Sequence, residues 1–525
     1  MIYVVGSGPS GVACAHALLK QGLEVTMLDS GLELESQQKT LLEKLSNTLP
    51  DNWNQNDINT IKGNTKVNPS GSFVKGVYGS DFPTRETERF FPNEIKNVQL
   101  RMSLAKGGLS NIWGAALLPY IDEDIKDWPI GVKELSPHYE SALSLIDLAA
   151  TNDDLSLKFP LYTKKYQEIK YSNQATSLMS DLISNKNTLN SSGFDFGYSR
   201  LAVKVNETNS NHGCKYCGLC HYGCPYEAIY NSAFTLNELL KNEKFHYIKN
   251  VIVKKVHESS GEVTITATSR TNNEEITFKA LRVYLACGVV PSTKIILESL
   301  KAYNEKVTMK DSQWFLIPLI RYKKVSDILN ENLFTLSQVF IELFDKNLSA
   351  NTINLQVYTY NDLYLRAIKN TPLKYFLPLV QYPVNELLGR LVVIMGYLHS
   401  NDSSEISVKL QKNNKLLFEA QTNNKVKTIV SGVYKKFFTY KDSFKAIPIP
   451  GITKIPPPGY GSHSGGTFPM RDKPHEFETD ILGRPYGFKK VHIVDASVFP
   501  SIPATTITLT IMANAHRIAS RYNDI

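Results

Sequence analysis

The chain has no long apolar run, no block of basic residues, and only six cysteines and four tryptophans in 525 residues. Each scarcity excludes something. A membrane-spanning helix wants about 20 uninterrupted apolar residues. The most apolar stretch, residues 372–398, is broken by Gln381, Asn385, Glu386 and Arg390. It is read as a core element, with contact at a membrane surface as the alternative. The net charge of +8 carries no Lys/Arg cluster, so nucleic acid is not expected, and a mildly acidic substrate or partner is the most the charge suggests. No basic segment or cleavage site precedes the first apolar run at residue 2. The expectation is a cytoplasmic protein, with export alongside a signal-bearing partner subunit left open. A disulfide framework would spread its cysteines, whereas four of the six fall within eleven residues. That clustering points to a metal or iron–sulfur site in a reducing compartment.

What is present is concentrated at the two ends and in that cysteine run. Ile2–Val5 reads as a buried parallel strand, followed by Gly6-Ser7-Gly8-Pro9-Ser10-Gly11, a helical pattern, and a second apolar run, Val25–Leu28, ending at Asp29. Strand, glycine turn, helix, strand and acid stand in the order of a dinucleotide-binding βαβ unit. Gly6 is expected to make the tight turn, Gly8 to admit the pyrophosphate, and Gly11 to let helix pack on strand. The helix N-terminus, with Ser10, faces the phosphates, and Asp29 accepts from a ribose. The unit by itself does not separate FAD from NAD.

The run Cys214-x2-Cys217-x2-Cys220-x3-Cys224-Pro225 has the spacing of bacterial ferredoxins, whose soft, anionic thiolates suit iron–sulfur clusters. Zinc normally takes two separated pairs of ligands and remains the alternative, with a purely structural thiol knot. In two-cluster ferredoxins the fourth cysteine serves the other cluster. No second run exists here, so either four thiolates close on a 4Fe–4S cluster or three hold a 3Fe–4S cluster. Cys14 and Cys287 are read as small buried residues.

Three further segments carry a family resemblance. The first is Gly107-Gly108-Leu-Ser110-Asn111-Ile112-Trp113-Gly114, followed by Trp128-Pro129-Ile130. The second is Val283–Gly288 before a helix. The third is the C-terminal block with Gly461-Ser-His463-Ser-Gly465-Gly466-Thr467 and Val491-His-Ile-Val-Asp495-Ala496. Together they resemble the glucose–methanol–choline (GMC) oxidoreductases. The cysteine segment is similar to the cluster loop of the FAD-dependent glucose and fructose dehydrogenases in that family.

The resemblance implies an α/β fold (α+β overall). A Rossmann-like FAD domain would comprise residues 1–150, 205–300 and 455–525, with the cysteine loop at 211–230. An antiparallel-sheet substrate domain would comprise 151–204 and 301–454, with residues 396–410 as one of its hairpins. Gly107, Gly108, Ser110, Asn111 and Trp113 would lie along the flavin, with Gly288, Asp495 and Ala496 also against FAD. Covalently flavinylated relatives have His where Ile112 stands, so the FAD would be dissociable.

His463 matches the family's catalytic histidine, a residue type suited to taking a hydroxyl proton near neutral pH. The second catalytic position falls on Thr506, where relatives have His or Asn. Thr cannot hold a proton as His can, so this is a departure. His212, His221, His399, His475, His492 and His516 are read as structural or exposed. The implied reaction is oxidation of an alcohol carbon on a sugar, polyol or glycoside. Electrons would leave through the cluster to an acceptor protein or quinone, and membrane-surface contact would come through a partner. A redox-neutral or reductive flavoenzyme, and a non-catalytic electron-transfer flavoprotein, are the alternatives.

Overall fold

Four consecutive β-branched or aromatic residues leave no polar face, so Ile2–Val5 (β1) can only be a strand covered on both sides. The computed structural model, which describes residues 1–63, 76–205, 212–369 and 377–524, buries all four. Parts of the stretches 32–66 and 68–97, residue 211 of the cysteine loop and residues 372–376 lie outside the described residues. A helix, Pro9–Lys20 (α1), and a strand, Val25–Leu28 (β2), complete the expected unit. β1 is the middle strand of a five-stranded parallel sheet, in the order Val491–Ile493, Arg282–Leu285, β1, β2, Phe245–Ile248. The C-terminal ends of such strands are where open α/β sheets bind ligands. Gly6, Asp29, Gly288 and Asp495 all follow those ends.

The two glycines at the first turn are required by close approach. A Cβ on Gly11 would lie 1.9 Å from the Gly6 carbonyl oxygen, and one on Gly6 (φ +101°) would lie 2.7 Å from that of Ala286. Gly11 thus lets α1 seat on the turn, as its place in the fingerprint predicts.

Five strands after residue 300 join Phe194–Tyr198 in an antiparallel six-stranded sheet, in the order Ala446–Pro448, Trp314–Arg321, Leu391–Tyr397, Ile353–Tyr358, Val339–Leu343, Phe194–Tyr198. Its inner face packs on the helices Asn173–Ser184 and Lys425–Thr439. A second mixed sheet, Ser464–Gly465, Lys306–Asp311, Glu405–Leu410, Leu416–Gln421, Asn93–Lys96, packs into the core of the parallel sheet.

One expectation is corrected here. Residues 396–410 are not a hairpin, because Leu391–Tyr397 and Glu405–Leu410 belong to different sheets. The turn between them is pinned elsewhere. His399 Nε2 reaches the Asp124 carbonyl (3.0 Å), and the Ser400 N–H donates to Ile502 O (2.8 Å). The strand Val339–Leu343 starts after Thr335, whose N–H is committed to Cys220 Sγ at 3.4 Å. The stretch after residue 32 packs against the cysteine loop. Its helices Ser36–Ser46 and Gln55–Lys62 bring Leu45 and Ile61 against Leu219 and Tyr222 of the cysteine loop in a small separate core. The apolar stretch becomes a helix, Leu377–Leu388, and a buried strand. Among the described residues no helix is long and apolar enough to cross a membrane.

Candidate active site

A cavity of about 690 Å³ opens between the C-terminal ends of the parallel strands and the six-stranded sheet. Gly8, Gly108 and Gly288 lie on its wall. A Cβ on Gly8 or Gly288 would meet nothing within 4 Å, and one on Gly108 would lie 3.3 Å from Gly8 Cα. Two glycine loops therefore converge on one channel with bare backbone facing it. Gly8 is the N-cap of α1 and gives its first turn no side-chain cap, so those N–H groups and the positive dipole end face the cavity. Asp29 is buried at the channel's edge. It accepts from Ser7 Oγ (2.7 Å) and Tyr247 OH (2.9 Å) on one oxygen and a long bond from Ser7 N–H (3.3 Å) on the other, and the Gly31 N–H also bonds the carboxylate. Burial raises its pKa, against those bonds. The second oxygen keeps acceptor capacity for a ribose hydroxyl, and the residues present fit a dinucleotide.

Of the other expected cofactor residues, Ser10, Ser110, Trp113, Asp495 and Ala496 line the cavity, while Gly11, Gly107 and Asn111 do not. Ser110 and Asn111 are corrected in role. Ser110 Oγ donates to Gly107 O (2.6 Å), and Asn111 Nδ2 donates to Gly108 O (2.7 Å) and Lys106 O (3.0 Å). Both amide and hydroxyl are spent shaping the loop, which leaves its backbone to face a ligand. Asp495 is likewise engaged, with Gly288 N–H (3.0 Å) and the hydroxyls of Ser292 and Ser497, so it ties two of the sheet's loops together.

His463 stands on the cavity wall just before the strand Ser464–Gly465. Its ring stacks on Tyr397 at 4.6 Å and 21°, and its buried Nδ1 has no hydrogen-bond partner among the described residues. Burial pushes its pKa down to about 4, so the imidazole is neutral at ordinary pH. The loop before it is held by Asp311. One Asp311 oxygen accepts from Gly459 N–H (2.8 Å), the other from Ser464 Oγ (2.8 Å), and Ser312 N–H bonds the His463 carbonyl (2.9 Å). Burial raises the Asp311 carboxyl to about 6. Thr506 also lines the cavity, but its hydroxyl accepts from Leu118 N–H at 2.7 Å.

Sequence reasoning missed Asp311, Tyr397 and His221. The first two carry no motif, because their partners are more than 60 residues away. His221 was read as structural or exposed. In fact it lines the cavity with its ring 6.1 Å from that of Tyr358. Its place inside the cysteine run was the one available signal. Cys287 likewise lines the cavity rather than being fully buried.

The metal expectation is not met as stated. Cys214, Cys217, Cys220 and Cys224 are free thiols, close enough to raise one another's pKa on top of burial, with Cys224 pushed up to about 11. Yet no group of three or more His, Cys, Asp or Glu side chains among the described residues is arranged to hold a metal ion. The Cys220 sulfur accepts from Thr335 N–H and the Cys224 sulfur from Ala228 N–H, both at 3.4 Å, while the Cys217 backbone bridges to Leu333. The loop is thus tied to separate segments, and as arranged its thiols do not fit a cluster.

Residues 458–515, which contain His463, Asp495 and Thr506, match the family model for GMC oxidoreductases, and residues 4–34 match that of the NAD(P)-binding Rossmann-like domain. Over these two segments the chain is similar to the GMC oxidoreductases and to Rossmann-like dinucleotide-binding domains. Two solved structures share the fold of this chain. Pyridoxine 4-oxidase from Mesorbium loti superposes with a TM-score of 0.61 at 12% identity, covering 100% of this chain and 99% of its own. Formate oxidase from Aspergillus oryzae RIB40 gives 0.60 at 14%, covering 100% and 98%. A comparison with curated protein sequences finds no match.

Proposed function

We propose that the chain is a GMC-type enzyme that oxidises an alcohol carbon, with His463 as the base that takes the hydroxyl proton and FAD held non-covalently in the glycine-lined channel. FAD, when bound, supplies the hydride acceptor. The chain's residues divide the rest of the work. The uncapped turn of α1 and the open backbone at Gly8, Gly108 and Gly288 hold the cofactor, and Asp29 takes its ribose. Ile112, buried on the same wall, offers no nucleophile for a covalent link. His463 is kept neutral by burial, and so has a lone pair to offer. Tyr397 fixes its ring plane, and Asp311 fixes its loop. Thr506, bonded to the Leu118 backbone, shapes the wall and supplies no second acid or base.

One observation carries this reading: a neutral imidazole, partly exposed, on the wall of the dinucleotide cavity. Mixing candidate alcohols with the holoenzyme anaerobically should bleach the flavin. His463→Asn should slow the bleaching by about 10²–10⁴-fold with flavin content unchanged. Undiminished bleaching in that variant would refute the assignment.

A sugar or polyol, the finer expectation, finds little support in the lining. The amides of Gln356 and Asn361 on the wall are already bonded within the protein. A second reading keeps an iron–sulfur cluster on the cysteine loop. Its support is the ferredoxin-like spacing and the mutual influence of the thiols. Iron and acid-labile sulfide in near-stoichiometric amounts, with an EPR signal on reduction, would establish it. Zinc or no metal would leave the loop a packing element.

A further inference from the structure

Beyond the His463 ring, the cavity wall is built from Tyr397, Trp314, Tyr460, Tyr358 and Tyr364. Their rings form a continuous surface: Tyr460 lies 5.1 Å from Trp314, and the Gly461 Cα between Tyr460 and His463 is so close to both Tyr397 and Trp314 that a Cβ there would contact each (3.2 and 3.5 Å). Such a wall offers ring faces for a flat, apolar body to lie against.

The charged side chains that line this half of the cavity, among the described residues, are cationic. Arg101 lines it, half-buried, with its guanidinium over the Tyr460 ring at 5.5 Å, and Lys454 stands at the mouth on a backbone bridge to Leu316. No carboxylate among the described residues forms an ion pair with either. Among the described residues the carboxylates lining the cavity are Asp29 and Asp495, both at the ends of parallel strands and both hydrogen-bonded; Asp311 lies behind the wall near Tyr397, engaged by Gly459 N–H and Ser464 Oγ. Arg101 is also near enough to the Tyr397 phenol to oppose the pKa rise that burial imposes there, which puts the guanidinium on the His463 side. A guanidinium cannot shed its proton, and its planar fork matches carboxylate and phosphate.

We propose that the substrate is a planar, aromatic alcohol carrying an anionic group, and that Arg101 is the specificity residue that receives the anion while His463 faces the hydroxyl. This rests on the reading of the site as an alcohol-oxidising one. The aromatic ring lies along Tyr397 and Trp314. Lys454 draws the anion in at the mouth, and Arg101 fixes its depth, so the hydroxyl-bearing carbon is placed by a contact remote from the chemistry.

The test compares benzyl alcohol with 4-(hydroxymethyl)benzoate on the holoenzyme, by anaerobic flavin bleaching, in the parent and in Arg101→Gln and Arg101→Lys. The carboxylate-bearing alcohol should be preferred in kcat/KM by roughly tenfold or more. Arg101→Gln should bring that ratio towards one, chiefly through KM, and Arg101→Lys should keep part of it. Benzoate should quench tryptophan fluorescence through Trp314 in the parent, and bind at least tenfold more weakly in Arg101→Gln. Equal rates for the two alcohols in the parent, or a ratio and benzoate affinity unmoved by Arg101→Gln, would overturn the proposal. If neither alcohol nor a panel of polyols bleaches the flavin, the alcohol-oxidising reading falls, while the benzoate titration still decides the anion site.

Discussion

Lowering the pH towards 4 should switch off flavin reduction by protonating His463, and the position of that fall measures how buried the base is. An imidazole in water has a pKa near 6.5, whereas burial holds His463 near 4. Activity needs the neutral ring, so it is full above the folded pKa and lost as pH falls through it. At pH 5 an ordinary histidine would be neutral in only about 3% of molecules, whereas one titrating near 4 would be neutral in about 90%. The two cases differ about 30-fold in kcat/KM at a single accessible pH. The assay is kcat/KM for anaerobic flavin reduction from pH 4 to 8, which reports the ionisation of the unliganded site. A flat profile down to pH 5 with a fall centred near 4 is expected. A half-point near 6.5 would refute the burial argument, and with it the picture of His463 as a desolvated base against Tyr397.

Gly11→Ala should abolish FAD retention, because its Cβ would sit 1.9 Å from the Gly6 carbonyl oxygen and backbone on both sides would have to part. Flavin content of the purified variant is the readout. Asp311→Ala should lower kcat more than KM by releasing the Gly459 and Ser464 bonds that place the His463 loop, and Asp311→Asn, which keeps an acceptor, should recover part of the loss. His492, fully buried with Nδ1 on the Leu482 carbonyl at 2.9 Å, is held near 4 by burial. The unfolded chain takes up a proton below pH 6.5 that the fold refuses until about 4. Stability is therefore lost across that window, by about 2 kcal/mol at pH 5 from this group. Urea midpoints at pH 7 and 5 should converge by that amount in His492→Asn relative to the parent.

The dinucleotide-binding unit was legible in residues 1–31 because each of its requirements is local. A tight turn needs glycine, a covered strand needs apolar residues, and the acid must follow the second strand. Nothing distant can substitute for these. The C-terminal block was legible for a related reason, since the residue types around His463 and Asp495 are set by close backbone contacts such as Gly465 against the Ala496 carbonyl. By contrast, the loop polar groups Ser110 and Asn111 look from sequence like ligand contacts, yet they bond their own loop. A hydroxyl or amide satisfies whichever partner the tertiary structure brings nearest, and sequence does not specify that partner.

What the sequence determined by itself, then, is the glycine turn of the first βαβ unit and the covered strands on either side of it, consequences of short-range sterics and burial. Only the tertiary structure decided that residues 396–410 split between two sheets, that Asp311 holds the His463 loop, that His221 faces the cavity, and that Arg101 and Lys454 stand on an aromatic wall without a counter-charge. These depend on which remote segments meet. Burial and electrostatic pairing are properties of that meeting, and they arise only once the sheets have closed over the cavity.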